Sequence, residues 1–347
     1  MRQGENHMDF EQQLLEQIEV LLHCDGITHV NRMGKIVTAW VTDLVEGKNF
    51  KVPLSICFVP CERGSDGERQ LQIVFKLSRN VQMEKYRQIV DRLGALNARA
   101  DIGTLSLFPN GEICYMYQML LLGDDIQTAV QSVQEVLQML LMFLFEYYLY
   151  LLVLSADPEK MTLEQYQAGG YVQTDRPWKA AFLQEEVRSL LTECLQTECD
   201  QIQNTDHGLS FLVAQISGND QWKAVGSVGF FEECVDRELK SRLMQMELTV
   251  LADIPPENLE ELKVRMHDLS KQTTCGWLAV NDRRQLVYDY ACPVTGYGTQ
   301  QIVQLFTSIA YEMFTFLDIY YPYLIVCTVD PEKMTWSDYI GQLEEQA

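Results

Sequence analysis

One hexapeptide occurs twice, letter for letter. Asp157-Pro158-Glu159-Lys160-Met161-Thr162 returns as Asp330-Pro331-Glu332-Lys333-Met334-Thr335, 173 positions on, in a chain of 347 residues. A period that long marks a duplicated domain, not a solenoid, whose units run roughly 20–50 residues. The register carries well beyond the hexapeptide. Tyr166 meets Tyr339, and Tyr147, Tyr148 and Tyr150 meet Tyr320, Tyr321 and Tyr323. Further back, Tyr115 and Tyr117 meet Tyr288 and Tyr290, Gly103 meets Gly276, and Leu96 meets Leu269. Leu71, Ile73, Phe75 and Leu77 meet Met244, Met246, Leu248 and Val250. The expected organisation is therefore two tandem copies, residues 1–168 and 176–347, joined by a linker from Gly169-Gly170 to Pro177.

Within each copy the apolar spacing changes from helical to alternating and back. Phe10, Leu14, Leu15, Ile18, Leu21 and Leu22 recur at helical intervals. Lys35–Asp43, Phe50–Val59 and Leu71–Leu77 read as strands, and Tyr86–Leu96 as a helix. Asn110-Gly111 between two alternating runs predicts a hairpin. Asp124-Asp125 suits the start of a long apolar helix, because its first amide groups carry partial positive charge. Pro322, just after Tyr320-Tyr321, predicts that this helix ends near the tyrosine pair in both copies. The second copy repeats the order, beginning with a helix over Trp178–Cys199. Each unit reads α-β-β-β-β-α-β-β-α. The fold class is α+β, with an antiparallel sheet packed against helices.

Composition bounds the partners. The apolar fraction is 47% and the charged fraction 22%, enough for each half to build its own core. A formal net charge of −22 repels phosphate backbones, so no nucleic acid is expected as a partner. The ten cysteines are scattered, several of them inside apolar segments, as in a reduced, cytoplasmic protein. Glu5 and Asp9 near the start do not suit a secretory signal. The run Val136–Leu154 is apolar enough to suggest a membrane span, but its counterpart carries Ser308, Glu312, Thr315 and Asp318, so no membrane is expected.

The run Leu96-Asn97, then Gly103, an apolar strand, a turn, a Tyr-ended strand, a long helix and an aromatic tail resembles the YbjN family. That family is similar in fold to the class I type III secretion chaperones. The resemblance covers each half nearly end to end, although the second copy has Ser270 where the first has Asn97. It implies a small fold used for protein contacts, often dimeric, with no catalytic residues to carry over. Two linked units would then pack as a dimer within one chain.

No catalytic constellation stands out. Asp157 with Glu159, and Asp330 with Glu332, pair carboxylates as a metal or acid–base site would, but Asp-Pro-Glu also starts a helix: Asp as cap, Pro in the first turn, Glu near the dipole. Thr162 with Gln165 offers a second capping register. His23-Cys24 with His29 falls short of a coordination set and has no counterpart in the other copy. Thr295-Gly296-Tyr297-Gly298-Thr299 lacks the Lys-Ser/Thr of a phosphate loop and reads as a turn. No cofactor or metal site is expected. The candidate interface, between the two units or with another chain, is the tyrosine set Tyr147, Tyr148, Tyr150, Tyr320, Tyr321 and Tyr323, although the commoner use of such rings is to cover a sheet edge inside their own unit. Met139 and Met142 are adaptable side chains suited to varied partners or to filling the core. The expectation is a non-catalytic protein-binding adaptor or chaperone-like protein. Its rival is a ligand- or metal-binding enzyme that uses the cleft between the units.

Overall fold

Burial resolves the alternation that marks the strands: Leu71, Ile73 and Phe75 are fully buried on one side of their strand, and so are their counterparts Met244, Met246 and Leu248. A computed structural model describes residues 3–24, 26–45, 47–60, 68–79, 81–170, 172, 178–235 and 238–346. The chain divides into two compact units, Met1–Arg176 with Cys292–Gly296, and Pro177–Ala291 with Tyr297–Ala347. Most of the expected linker lies outside the described residues.

The first unit runs α1 (Gln3–Leu21), β1 (Ile27–Met33), β2 (Ile36–Val41), β3 (Val52–Val59), β4 (Glu68–Ser78), α2 (Tyr86–Asn97), β5 (Thr104–Leu107), β6 (Ile113–Leu122), α3 (Ile126–Ala156) and α4 (Leu163–Ala168). Its sheet has the order β1-β2-β3-β4-β6-β5, all neighbours antiparallel. The second unit runs β7 (Trp178–Ala180), α5 (Glu185–Leu195), β8 (Cys199–Thr205), β9 (Gly208–Val213), β10 (Ala224–Val235), β11 (Glu238–Leu251), α6 (Leu259–Leu269), β12 (Trp277–Val280), β13 (Leu286–Pro293), α7 (Thr299–Val329) and α8 (Trp336–Gln346). Its order is β12-β13-β11-β10-β9-β8, with β7 also paired to β10. The expected α+β architecture is present in both units.

Matching positions lie 173 apart only from β4 onward: Thr104 pairs with Met116 as Trp277 pairs with Asp289. Before β4 the spacing is 172, since Ala39 pairs with Leu54 as Phe211 pairs with Gly226. The second copy gains one residue between β10 and β11. Both edge strands β1 and β8 carry the same bulge, with His29 at φ 52° and Gln201 at φ 50°. A bulge twists an edge away from other chains.

Three expectations need correction. First, Trp178 does not open a helix. β9 pairs with β10 only as far as Gly229, leaving an open edge at Phe231–Glu233, and β7 fills it. The helix that follows is confined to Glu185–Leu195. Second, the hexapeptide does not cap a helix with its aspartate. Asp157 terminates α3, accepts the Glu159 N–H at 3.2 Å and pairs with Lys85 at 2.9 Å. Helix α4 is capped instead by Thr162, five residues later, in a reciprocal Thr162–Gln165 capping box.

Third, neither long helix ends at its tyrosine pair. Both run 31 residues, and Pro322 lies inside α7. Proline has no N–H, so the carbonyl of Asp318, one turn back, loses its helical donor. Ser217 supplies the replacement: its hydroxyl donates to the Asp318 carbonyl, and its N–H donates to the Asp318 carboxylate at 2.9 Å. Gln215, Ser217 and Gly218 all adopt positive φ (56°, 53° and 70°) to bring this turn onto the helix. The first copy has Leu149 in place of Pro322, and nothing there requires such a turn. Ser217→Ala is expected to cost about 1 kcal/mol, and much less in a Pro322→Ala background, where residue 322 regains its N–H. Additive costs in a denaturation double-mutant cycle would contradict this account.

Candidate functional site

The tyrosines at the ends of α3 and α7 are mostly core residues. Tyr147, Tyr148, Tyr150, Tyr321 and Tyr323 are buried, and only Tyr320 is half-buried. Tyr147 and Tyr150 pack on Tyr166 of α4 at 6.5 and 5.4 Å. Tyr320 and Tyr323 pack on Trp336 of α8 at 5.2 and 5.4 Å. Tyr148 meets Phe50 and Tyr321 meets Trp222, at 5.9 and 5.5 Å. The tyrosine cluster thus anchors a short C-terminal helix and a loop in each unit. Tyr166 and Tyr339 complete the anchor by donating to the carbonyls of Glu146 and Ile319. The five buried rings offer no surface to a partner.

The exposed apolar surface lies one helical face away. Met139 is buried, whereas Met142 is 45% and Phe145 54% exposed. Leu149 and Leu152 continue the same stripe at helical spacing and are half-buried. The corresponding positions of α7 are Thr315, Asp318, Pro322 and Ile325, and Ser217 hydrogen-bonds Asp318 there. Glu146 flanks the stripe. It is half-buried, and burial pushes its carboxyl above the usual carboxylate range. Its counterpart is Ile319. The signal was present in the sequence: the two copies diverge at Phe145-Glu146 against Asp318-Ile319 while the tyrosines beside them are kept.

The sheets offer little to an added strand. Both β1 and β8 are bulged. At the other edge, the Asn97 side chain bonds the N–H and C=O of Leu105, at 2.7 and 3.1 Å. Ser270 makes the same two contacts to Leu278, at 2.8 and 3.3 Å, so the two copies keep this edge contact with different residues.

The second unit holds a carboxylate cluster on the sheet face opposite its helices. Gln245 donates from its amide to both oxygens of Asp289 at 3.0 Å. Burial, with a further push from Glu247, raises Asp289 to about 7, against the pull of hydrogen bonds from Gln245 and Tyr290. Burial also raises Glu247, with Arg283 acting the other way. The first unit has Val74 opposite Met116 at these positions. Such a carboxyl can hold or release a proton near neutrality.

The remaining candidates do not assemble. Among the described residues no group of three or more His, Cys, Asp or Glu is placed to hold a metal ion. His23, Cys24 and His29 are exposed. Asp157 and Glu159 face Lys85, at 2.9 and 3.8 Å. Gly298 starts α7, its N–H bonded to the Gln301 side chain at 3.0 Å, so the Gly-rich loop is a helix entry. Cys57, Cys114, Cys292 and Cys327 are free thiols, and Cys61 lies outside the described residues. Both α3 and α7 are long and apolar enough to cross a membrane, with 50% of each apolar window buried in the fold. Compared with known proteins, the chain matches no family model, no curated protein and no solved structure.

Proposed function

We propose that this is a non-catalytic, cytoplasmic protein-binding protein built from two YbjN-like, type III chaperone-like units, and that the outer face of α3 is its docking surface. The observation that carries this reading is the exposed pair Met142 and Phe145 in a helix whose twin has Thr315 and Asp318 in their place. A solvated helix face is ordinarily polar, so an apolar stripe present in one copy and absent from the other points to contact with another molecule. Methionine and phenylalanine suit such a role, because they bury much area and adapt to irregular surfaces. The closed sheet edges favour a helix face over strand addition as the mode of binding.

The test is a photo-crosslinking amino acid at position 145 of the full chain, in the cells that make the protein. Discrete protein adducts are expected. They should disappear when Met142→Asp is added, and should be absent when the crosslinker replaces Tyr311 on α7, which is 54% exposed. Equal labelling from both positions, or none from position 145, would argue against α3 as the docking face.

A further inference from the structure

Resting on that reading, the chemistry of the surface also selects its occupant. Met142, Phe145 and Leu149 form an apolar strip about two turns long, and Glu146 stands along one border. The Glu146 carboxylate has no ion pair or hydrogen bond among the described residues, yet it is half withdrawn from water. Burial raises its pKa, and a carboxylate in that position is stabilised by an approaching cation. The other acidic residues near the end of α3 are already engaged, because Asp157 and Glu159 share Lys85. The chain as a whole carries −22, so its long-range field draws positive segments and repels negative ones.

We infer that the outer face of α3 docks an amphipathic, basic helix of a partner protein. The apolar side of that helix lies along Met142, Phe145 and Leu149, and a Lys or Arg on its flank pairs with Glu146. An acidic or uncharged helix of the same apolar pattern would leave Glu146 buried and unpaired, which disfavours it. The second unit cannot take the same ligand at its matching face. Asp318 there is already held by Ser217, and Ile319 replaces the acceptor.

The probe is a fluorescently labelled 18-residue model helix with leucines at helical spacing and lysines on the flanks. Its partners are a peptide with glutamate in place of lysine and a lysine peptide of scrambled order. Binding to the full-length protein is read by fluorescence anisotropy. The lysine helix should bind, more weakly as salt rises, and the other two should not. Phe145→Asp should weaken binding at least about tenfold, since it removes one aromatic contact and places a charge in the strip. Glu146→Gln should weaken it by about threefold to fivefold, the range of a solvent-accessible ion pair. Glu257→Gln, a substitution elsewhere on the acidic surface, should leave it unchanged. Equal binding of the lysine and glutamate helices would overturn the choice of a basic occupant and leave the docking face standing. Binding of the lysine helix that Phe145→Asp and Glu146→Gln do not alter would overturn the inference as diffuse attraction to an acidic protein. Co-sedimentation with neutral phosphatidylcholine vesicles, abolished by Phe145→Asp, would overturn it in favour of a lipid surface.

Discussion

Gly276→Ala is expected to destabilise the second unit by about 3 kcal/mol or more, a cost assembled from a left-handed backbone and a collision that cannot relax. Gly276 has φ 72°, and a Cβ there would lie 2.4 Å from the carbonyl oxygen of Asp289 and 3.0 Å from the Tyr288 ring. That ring is fully buried, and its hydroxyl donates to the carbonyl of Cys275 at 2.6 Å. Glycine, aromatic ring and strand backbone therefore occupy one small volume, and a methyl group can enter only if β13 moves. Gly103 repeats the arrangement in the first unit with softer neighbours. Its Cβ would meet side-chain atoms of Leu140 and Tyr115, each at 2.9 Å, and the Met116 carbonyl oxygen at 3.1 Å. Gly103→Ala should accordingly cost less, about 2 kcal/mol. Two units in one chain need not unfold together, so the measurement is hydrogen exchange resolved by unit under increasing denaturant. Loss of protection should be confined to the unit that carries the substitution. Equal costs at the two glycines, or a neutral Gly276→Ala, would refute this reading of the turn.

The second large effect is a pH dependence centred on Asp289. Its carboxyl is raised from 3.8 to about 7, chiefly by burial. The folded state therefore holds a proton that the unfolded chain releases between those two values. Stability contributed by the neutral form is fully present below the unfolded pKa and is lost as pH rises through the folded one. Across that window the folded protein should lose roughly 2–4 kcal/mol from this group. Asp289→Asn removes the titration while keeping a polar group against Gln245. The variant should match the parent near pH 4 and exceed it in stability at pH 8. Acidic residues held below their usual range, such as Asp157 beside Lys85, shift stability in the opposite direction and at lower pH. The quantity to plot is therefore the difference between parent and variant from pH 4 to 8. A flat difference would show that Asp289 titrates normally.

These two sites differ in how far the sequence disclosed them. Gly103 and Gly276 were recognised as partners because both copies keep them, with Tyr115 and Tyr288. Asp289 was not, because alternation along β13 marks it only as an outward position. The contrast with Met116 is visible only when the copies are aligned. The tyrosine clusters show the opposite difficulty. Aromatic residues that suit an interface also suit a core, and periodicity at the end of a long helix does not separate the two. Once α4 and α8 fold back, the rings fall on the inside, and the exposed face passes to Met142 and Phe145.

The α+β class, the core succession of strands and helices within each unit and the paired glycine and tyrosine positions are legible in the amino-acid order alone, whereas β7, α4 and α8 are not part of that reading. Each rests on local periodicity, or on likeness between segments far apart in number. The tertiary structure decided which of these elements end where, and which faces meet water. Pro322 should have stopped α7, but a serine 105 residues earlier reaches its orphaned carbonyl. Trp178 should have lain in a helix, but a longer neighbouring hairpin left an edge for it to pair with. In both cases the decisive donor or acceptor comes from a distant part of the chain, where no local pattern records it.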